Sequence, residues 1–237
     1  MEPAEYALMD AVEARMWWYR ALHARLLDAL APVRGRVLDA GCGTGGFLDL
    51  LRTSRPDLER IGLEWAEQGA IRAAAKAQAP VARGSVNTMP FATGSFDAVV
   101  LADVLCHGAV DPAAALAEVR RVLRPGGRVV VNMPAYAWLL SAHDSRVHNT
   151  RRMTARETGA MLQSAGLRPV RIRYWNALLL PLMIAQRKLL SRGESASDVA
   201  LFPPWLDAML HGVTQLERSL GLPMPAGGSV LAIAEPA

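Results

Sequence analysis

Ten residues constrain this chain more than any others: Val37-Leu38-Asp39-Ala40-Gly41-Cys42-Gly43-Thr44-Gly45-Gly46. Val37 and Leu38 close a short apolar run of the kind a buried parallel strand carries. Four glycines in the six positions from Gly41 to Gly46 then leave a turn without Cβ atoms, so a ligand can approach the backbone closely. From Phe47 to Leu51 the chain resumes at helical spacing, which brings a helix N-terminus and its free amides to the same spot. Strand, glycine turn and helix predict a nucleotide-type cofactor bound here on an α/β fold.

Two cofactors compete for such a turn. Gly41, Gly43 and Gly46 satisfy the G-x-G-x-x-G spacing of dinucleotide sites, with Glu64 at a suitable distance to hold a ribose. Asp39, however, stands two residues before the first glycine, at the mouth of the strand. A carboxylate there repels a pyrophosphate and suits a cationic ligand with an amino group. S-adenosylmethionine (SAM) has a sulfonium, an ammonium and no phosphate.

The 237 residues suit one α/β domain spanning 1–237, with decorations. No stretch approaches the roughly 18 to 20 apolar residues of a spanning helix. The acidic start Met1-Glu2-Pro3-Ala4-Glu5 lacks an apolar signal core, so a cytoplasmic protein is expected. Cys42 and Cys106, the two cysteines, read as free thiols. The net charge of +4 is modest, and no basic stripe interleaved with aromatics points to nucleic acid.

Along the chain, Ala4–Leu30 reads as one helix, with Met16-Trp17-Trp18-Tyr19-Arg20 inside it. Those aromatics either pin the helix to the sheet or cover the cofactor, so that residues 1–32 would be a helical lid. Arg60–Glu64 reads as a second strand ending in an acid, Val81–Gly84 as a third and Ser95–Leu101 as a fourth. The fourth delivers Ala102, Asp103 and His107 to the strand ends, where ligands of open parallel sheets gather. Asp111-Pro112 opens a helix that runs to Leu123, followed by Arg124-Pro125-Gly126-Gly127 and the strand Val129–Val131. Thr154 and Glu157 form a capping box for a further helix, and Leu167–Tyr174 is a sixth strand. Ser229–Ala234 ends the chain as a strand. The roughly fifty residues before it exceed any hairpin, so 175–228 is expected to be a helical insertion. It would cover a hydrophobic substrate, serve the core alone, or touch a membrane surface.

The D-x-G-x-G-x-G stretch and the Leu-x-Pro-Gly-Gly turn before the fifth strand resemble class I SAM-dependent methyltransferases. The resemblance covers about 33–131. It implies a doubly wound seven-stranded sheet, mostly parallel with an antiparallel last strand, and SAM across the ends of strands 1, 2 and 4. On the matching positions it assigns cofactor contacts to Asp39, Gly41, Cys42, Gly43 and Gly45, to Glu64 and Trp65, to Ala102 and Asp103, and to Trp18 and Tyr19 of the lid. Ser85 stands where the family commonly has an acid for the adenine amino group, which leaves Ser85 and the Val86 backbone for that task. After the fifth strand, His143-Asp144-x-x-x-His148-x-x-Arg151-Arg152-x-Thr154 resembles an element of a bacterial small-molecule subgroup. His143, Asp144 and His148, with His107 after the fourth strand, are candidates for proton transfer, and Tyr136 and Trp138 ahead of that element, with Arg151 and Arg152 in it, for holding a substrate, an anionic one in the case of the arginines. Solvated salt bridges would explain the same residues. A metal held by His143, Asp144 and His148 lacks diagnostic spacing, and none is expected. The function expected is methyl transfer to a small-molecule or lipid-like acceptor, with peripheral membrane contact open. A SAM-binding cyclase or regulatory binder, or an NAD-dependent oxidoreductase, would share the first motif.

Overall fold

The computed structural model describes residues 3–186 and 202–237, without the side chains of 3–5, 142 and 143. Seven strands form one sheet: β1 (Gly35–Ala40), β2 (Leu58–Glu64), β3 (Val81–Arg83), β4 (Phe96–Ala102), β5 (Leu123–Pro134), β6 (Leu167–Trp175) and β7 (Ser229–Pro236). Around them run α1 (Pro3–Val12), α2 (Trp17–Ala29), α3 (Gly46–Ser54), α4 (Glu67–Ala77), α5 (Pro112–Val122), α6 (Ala142–Arg146), α7 (Ala155–Ser164), α8 (Leu180–Ala185) and α9 (Pro204–Leu220).

The strand order is β3-β2-β1-β4-β5-β7-β6. The first five strands pair in parallel, and β7 lies antiparallel between β5 and β6. The parallel strands read as near-continuous apolar runs because both faces are covered. Leu101, Leu116, Val119 and Leu162 fill the face under α5 and α7. Leu22, Leu26, Phe47 and Leu51 fill the face under α2 and α3. The order reverses between β1 and β4, which opens a crevice beyond the carboxyl ends of those two strands.

The single helix expected over Ala4–Leu30 is two helices. The chain turns at Glu13–Met16, where Glu13 leaves solvent to accept a 2.7 Å hydrogen bond from the Thr44 hydroxyl and pair with Lys76. A buried carboxylate needs such partners, and satisfying them swings α1 over the glycine turn while α2 stays on the core. The fifth strand is also longer than expected, since backbone pairing with β4 begins at Leu123, ahead of the turn glycines. The Thr154–Glu157 capping box is present as expected.

Within 175–228, α9 packs along α2. The Arg25 guanidinium meets Glu217 at 3.5 Å and donates to the Thr214 carbonyl at 2.8 Å, all three residues being buried. Arg218 grips Asp28, and Asp207 accepts from the Trp17 amide at 2.7 Å, capping the start of α2. Glu217 also accepts from the Asn176 and Ala177 amides, 2.7 Å each, so the turn after β6 hangs from α9. No described helix is long and apolar enough to cross a membrane.

Candidate cofactor and acceptor site

The glycine turn sits at the carboxyl end of β1, where Gly41, Gly43 and Gly45 all take positive φ. A Cβ at Gly45 would stand 2.7 Å from the Ala73 Cα, so α3 and α4 close together only over glycine there. The amides of Gly41 and Cys42 donate to the Leu63 carbonyl, tying the turn to β2. Three buried carboxylates surround it: Asp39, Glu64 and Glu13. Burial, then the nearby Glu64 and Glu13 charges, push the Asp39 carboxyl up to about 7. Glu13 has Lys76, and Glu64 has hydrogen-bond donors. No ion pair reaches Asp39 among the described residues. A cradle of this kind, acidic and open to close backbone approach, fits a cationic cofactor and opposes a pyrophosphate.

The segment lying over this cradle is α1. The Tyr6 hydroxyl donates to Glu64 Oε1 at 2.9 Å, and the Gly43 amide donates to Glu64 Oε2 at 2.9 Å. The Met9 methyl fills the space where a Gly43 side chain would be. Asp10 pairs with Arg72 and Lys76 of α4, holding α1 down. Trp17, Trp18 and Tyr19, the lid candidates, lie instead on the neighbouring chamber, and Trp18 also packs on Trp175 at 6.1 Å between ring centres.

That chamber, of about 200 Å³, opens at the carboxyl ends of β4 and β5. Its floor includes Asp103, whose backbone takes a left-handed conformation at φ 53°. The Trp175 indole N–H donates to Asn132 Oδ1 at 2.8 Å, which leaves the Asn132 amide N–H to donate to Asp103 Oδ1, also at 2.8 Å. Burial, only partly offset by the Asn132 hydrogen bond and the Arg152 charge, pushes the Asp103 carboxyl up to about 7. One wall is the Asp144–Arg152 pair, almost wholly buried, joined through contacts of 2.8 and 2.9 Å. Met16, Leu179, Leu182, Met183 and Leu210 supply apolar surface.

The structure thus brings Asp39, Gly41, Cys42, Gly43, Gly45 and Glu64 together at the neighbouring ends of β1 and β2, and Trp18, Tyr19, Asp103, Asp144 and Arg152 around the adjoining chamber. Arg152, expected to hold an anionic substrate, is committed to Asp144, because an unpaired guanidinium so deep would be costly. Arg151 donates to the His107 carbonyl at 2.6 Å and so braces the loop after β4. His107 faces the Val147 backbone, and burial lowers its pKa. His148 is exposed, with its carbonyl bonded to the Gly108 amide. Tyr136 stacks on Tyr174 at 5.6 Å and on Trp138, outside the chamber lining. Trp65 is exposed just past β2. Val86 is buried under the β3–β4 connection, and Ser85 caps its own turn by accepting from the Asn87 amide. Ala102 ends β4, packed against the α2 face of the core. The His143 side chain lies outside the described residues. Tyr6, Asn132 and Asn176 were not singled out in the sequence. Each is ordinary in its local context, and only long-range pairing gives it a place.

Residues 38–131 match the family described as a methyltransferase domain. A Mycolicibacterium smegmatis protein described as a probable S-adenosylmethionine-dependent methyltransferase is 32% identical over 170 residues, 68% of this chain and 63% of that one. A demethylmenaquinone methyltransferase of Deinococcus radiodurans is 38% identical over 119 residues, 48% of each. This chain therefore spans less than two thirds of the length of these curated relatives. Among solved structures, geranyl diphosphate C-methyltransferase from Streptomyces coelicolor, in complex with Mg2+, geranyl diphosphate and S-adenosyl-L-homocysteine, superposes with a TM-score of 0.65 at 18% identity, covering 92% of this chain and 78% of that one. The fold is that of class I SAM-dependent methyltransferases, antiparallel seventh strand included.

Proposed function

We propose that this chain is a SAM-dependent methyltransferase acting on a small, largely apolar acceptor. The observation that carries the reading is Asp39: a buried carboxylate with no ion pair among the described residues, beside a turn on which backbone can meet ligand. SAM supplies an ammonium for that carboxylate and a methyl on a positive sulfur. In this reading Asp39 and the Gly41–Gly45 backbone hold the methionine end, and Glu64 receives the ribose hydroxyls in a two-pronged carboxylate contact. Asp103 and the apolar walls hold the acceptor at the adjoining strand ends. Little further chemistry is required, because the leaving group is already cationic. The protein aligns the nucleophile, excludes water and accepts a proton where the acceptor has one to lose.

The relatives named for demethylmenaquinone and for geranyl diphosphate support an acceptor among small molecules. The apolar lining contributed by α8 and α9 supports a hydrophobic one. His143 next to Asp144 is a candidate base. His143→Ala would then lower turnover roughly 10²-fold while leaving SAM affinity within about twofold.

Titration calorimetry with SAM, S-adenosylhomocysteine and NAD tests the cofactor reading directly. Saturable binding of the first two and none of NAD is expected, and the reverse would overturn it. Release of S-adenosylhomocysteine on incubation with small apolar acceptors then tests transfer.

A further inference from the structure

The polar groups lining the chamber beside the cofactor turn divide into two sets. Most are already satisfied within the protein. Asp144 and Arg152 neutralise one another, Asp103 Oδ1 is held by Asn132, and the Asn149 side-chain oxygen accepts from the Cys106 thiol at 3.1 Å. Two are not. The Trp17 indole nitrogen and Asn176 Oδ1 are both buried atoms with no hydrogen-bond partner among the described residues. Both residues line the chamber.

Neither is a loose surface group. Asn176 is only 4% exposed and takes a left-handed backbone at φ 57°. Its amide is fixed by Glu217, and its carbonyl accepts from the Gly228 amide at 3.2 Å. Trp17 opens α2, with its amide capped by Asp207. Native proteins rarely leave such buried atoms unpaired without a reason. One orphan is a donor and the other an acceptor.

We propose that this chamber is a binding site for a neutral, apolar molecule bearing a hydroxyl group or a hydroxyl and a carbonyl, read by the Trp17 indole N–H and the Asn176 side-chain oxygen. The inference rests on the reading of the chamber as the acceptor side of the cofactor turn. A hydroxyl both donates and accepts, so it answers the two orphans together or one of them with a carbonyl answering the other. An anionic ligand would meet Asp103, and Arg152, the cation in the described lining, is spent on Asp144. An ammonium would satisfy Asn176 and leave the indole N–H without an acceptor. Trp18, Leu179, Leu182 and Leu210 give the remainder of the ligand an apolar bed.

The test uses 1-naphthol as the probe, with binding followed by quenching of tryptophan fluorescence in saturating S-adenosylhomocysteine. Naphthalene, the cation 1-naphthylmethylammonium and the anion 1-naphthoate serve as comparisons. Naphthol should bind saturably and about tenfold more tightly than naphthalene, with both charged probes weaker than naphthol. Trp17→Phe keeps the ring and removes the donor. Asn176→Gly removes the acceptor and tolerates the positive φ. Each variant should cut the naphthol preference about threefold or more while naphthalene affinity stays within about twofold. Equal binding of naphthol and naphthalene, tighter binding of either charged probe, or an intact preference in both variants would overturn the proposal. So would the absence of naphthol binding in a protein that binds S-adenosylhomocysteine. Failure to bind S-adenosylhomocysteine would sink the cofactor reading alone, and naphthol titration without it would then decide the chamber by itself.

Discussion

Asp39→Asn should make the unliganded protein more stable and the cofactor complex weaker. The substitution keeps the side chain's shape and removes its charge. In the native protein the Asp39 carboxyl is 3% exposed, and burial with the Glu64 and Glu13 charges raises it from 3.8 to about 7. A raised folded-state value means that the folded protein binds a proton the unfolded chain has released. The cost of the carboxylate is therefore absent below pH 4, grows between pH 4 and 7, and is complete above that. A rise of that size corresponds to about 4 kcal/mol. Asparagine keeps a buried amide with its own desolvation cost, so about half of that, about 2 kcal/mol, is the expected gain at pH 8. For a chain of this length the gain corresponds to roughly 4–8 °C in melting temperature.

The same change takes from the cofactor its charged partner. Loss of one such partner costs about 1.5–3 kcal/mol, or roughly tenfold to more than a hundredfold in SAM affinity. Thermal and urea melts at pH 4.5, 6 and 8 read the first effect, and titration calorimetry with SAM reads the second. The gap between variant and parent should be small at pH 4.5 and widest at pH 8. A variant that melts below the parent at pH 8, or one that binds SAM within twofold of it, would show that Asp39 carries neither role.

Tyr6→Phe frees Glu64 Oε1 from its 2.9 Å donor, so if the ribose takes that oxygen SAM affinity should rise about threefold; a fall in calorimetry would place Tyr6 on the cofactor instead. Glu64→Gln should weaken SAM about tenfold or more in the same assay. Glu217→Gln leaves Arg25 without its partner in a buried site and should cost about 3–5 kcal/mol in urea unfolding; a loss under 1 kcal/mol would show that the α2–α9 contact is held by apolar packing. Gly45→Ala places a Cβ against the Ala73 backbone at φ 86° and should cost about 1–3 kcal/mol or more on thermal melting, whereas Gly94→Ala, strained at φ 64° but facing open space, should cost less.

The sheet was legible because each of its signals is local. The apolar run before Asp39, the glycines after it and the Leu123–Gly127 turn each specify backbone within a few residues, and strand order follows from chain direction and handedness. The break between α1 and α2 was not legible on that basis. Residues 4–30 carry an uninterrupted helical period, and what stops the helix at Glu13 is a hydrogen bond to Thr44, thirty-one positions away. For the same reason Tyr6, on an otherwise unremarked stretch, proves to be the side chain that meets Glu64. Arg151 and Arg152 invert the lesson: side by side they suggest an anion clamp, but one braces carbonyls and the other neutralises Asp144.

The chamber was the least legible part because it is made by contacts between residues far apart in the chain. One side of it is held where α2 and α9 meet, through Trp17 with Asp207, Arg25 with Glu217 and Asp28 with Arg218. No periodicity within either helix encodes those pairings. Both helices nevertheless attach to the sheet at points that matter chemically. Glu217 fixes the turn that carries Asn176, and Trp175, the residue before it, orients Asn132 against Asp103. The cofactor end, by contrast, is built on a glycine turn specified within ten consecutive residues and tied to β2 through the Leu63 carbonyl. The division explains why this sequence speaks plainly about the cofactor and says little about the acceptor: the glycine turn is written in consecutive residues, the chamber in an agreement between residues some 190 positions apart.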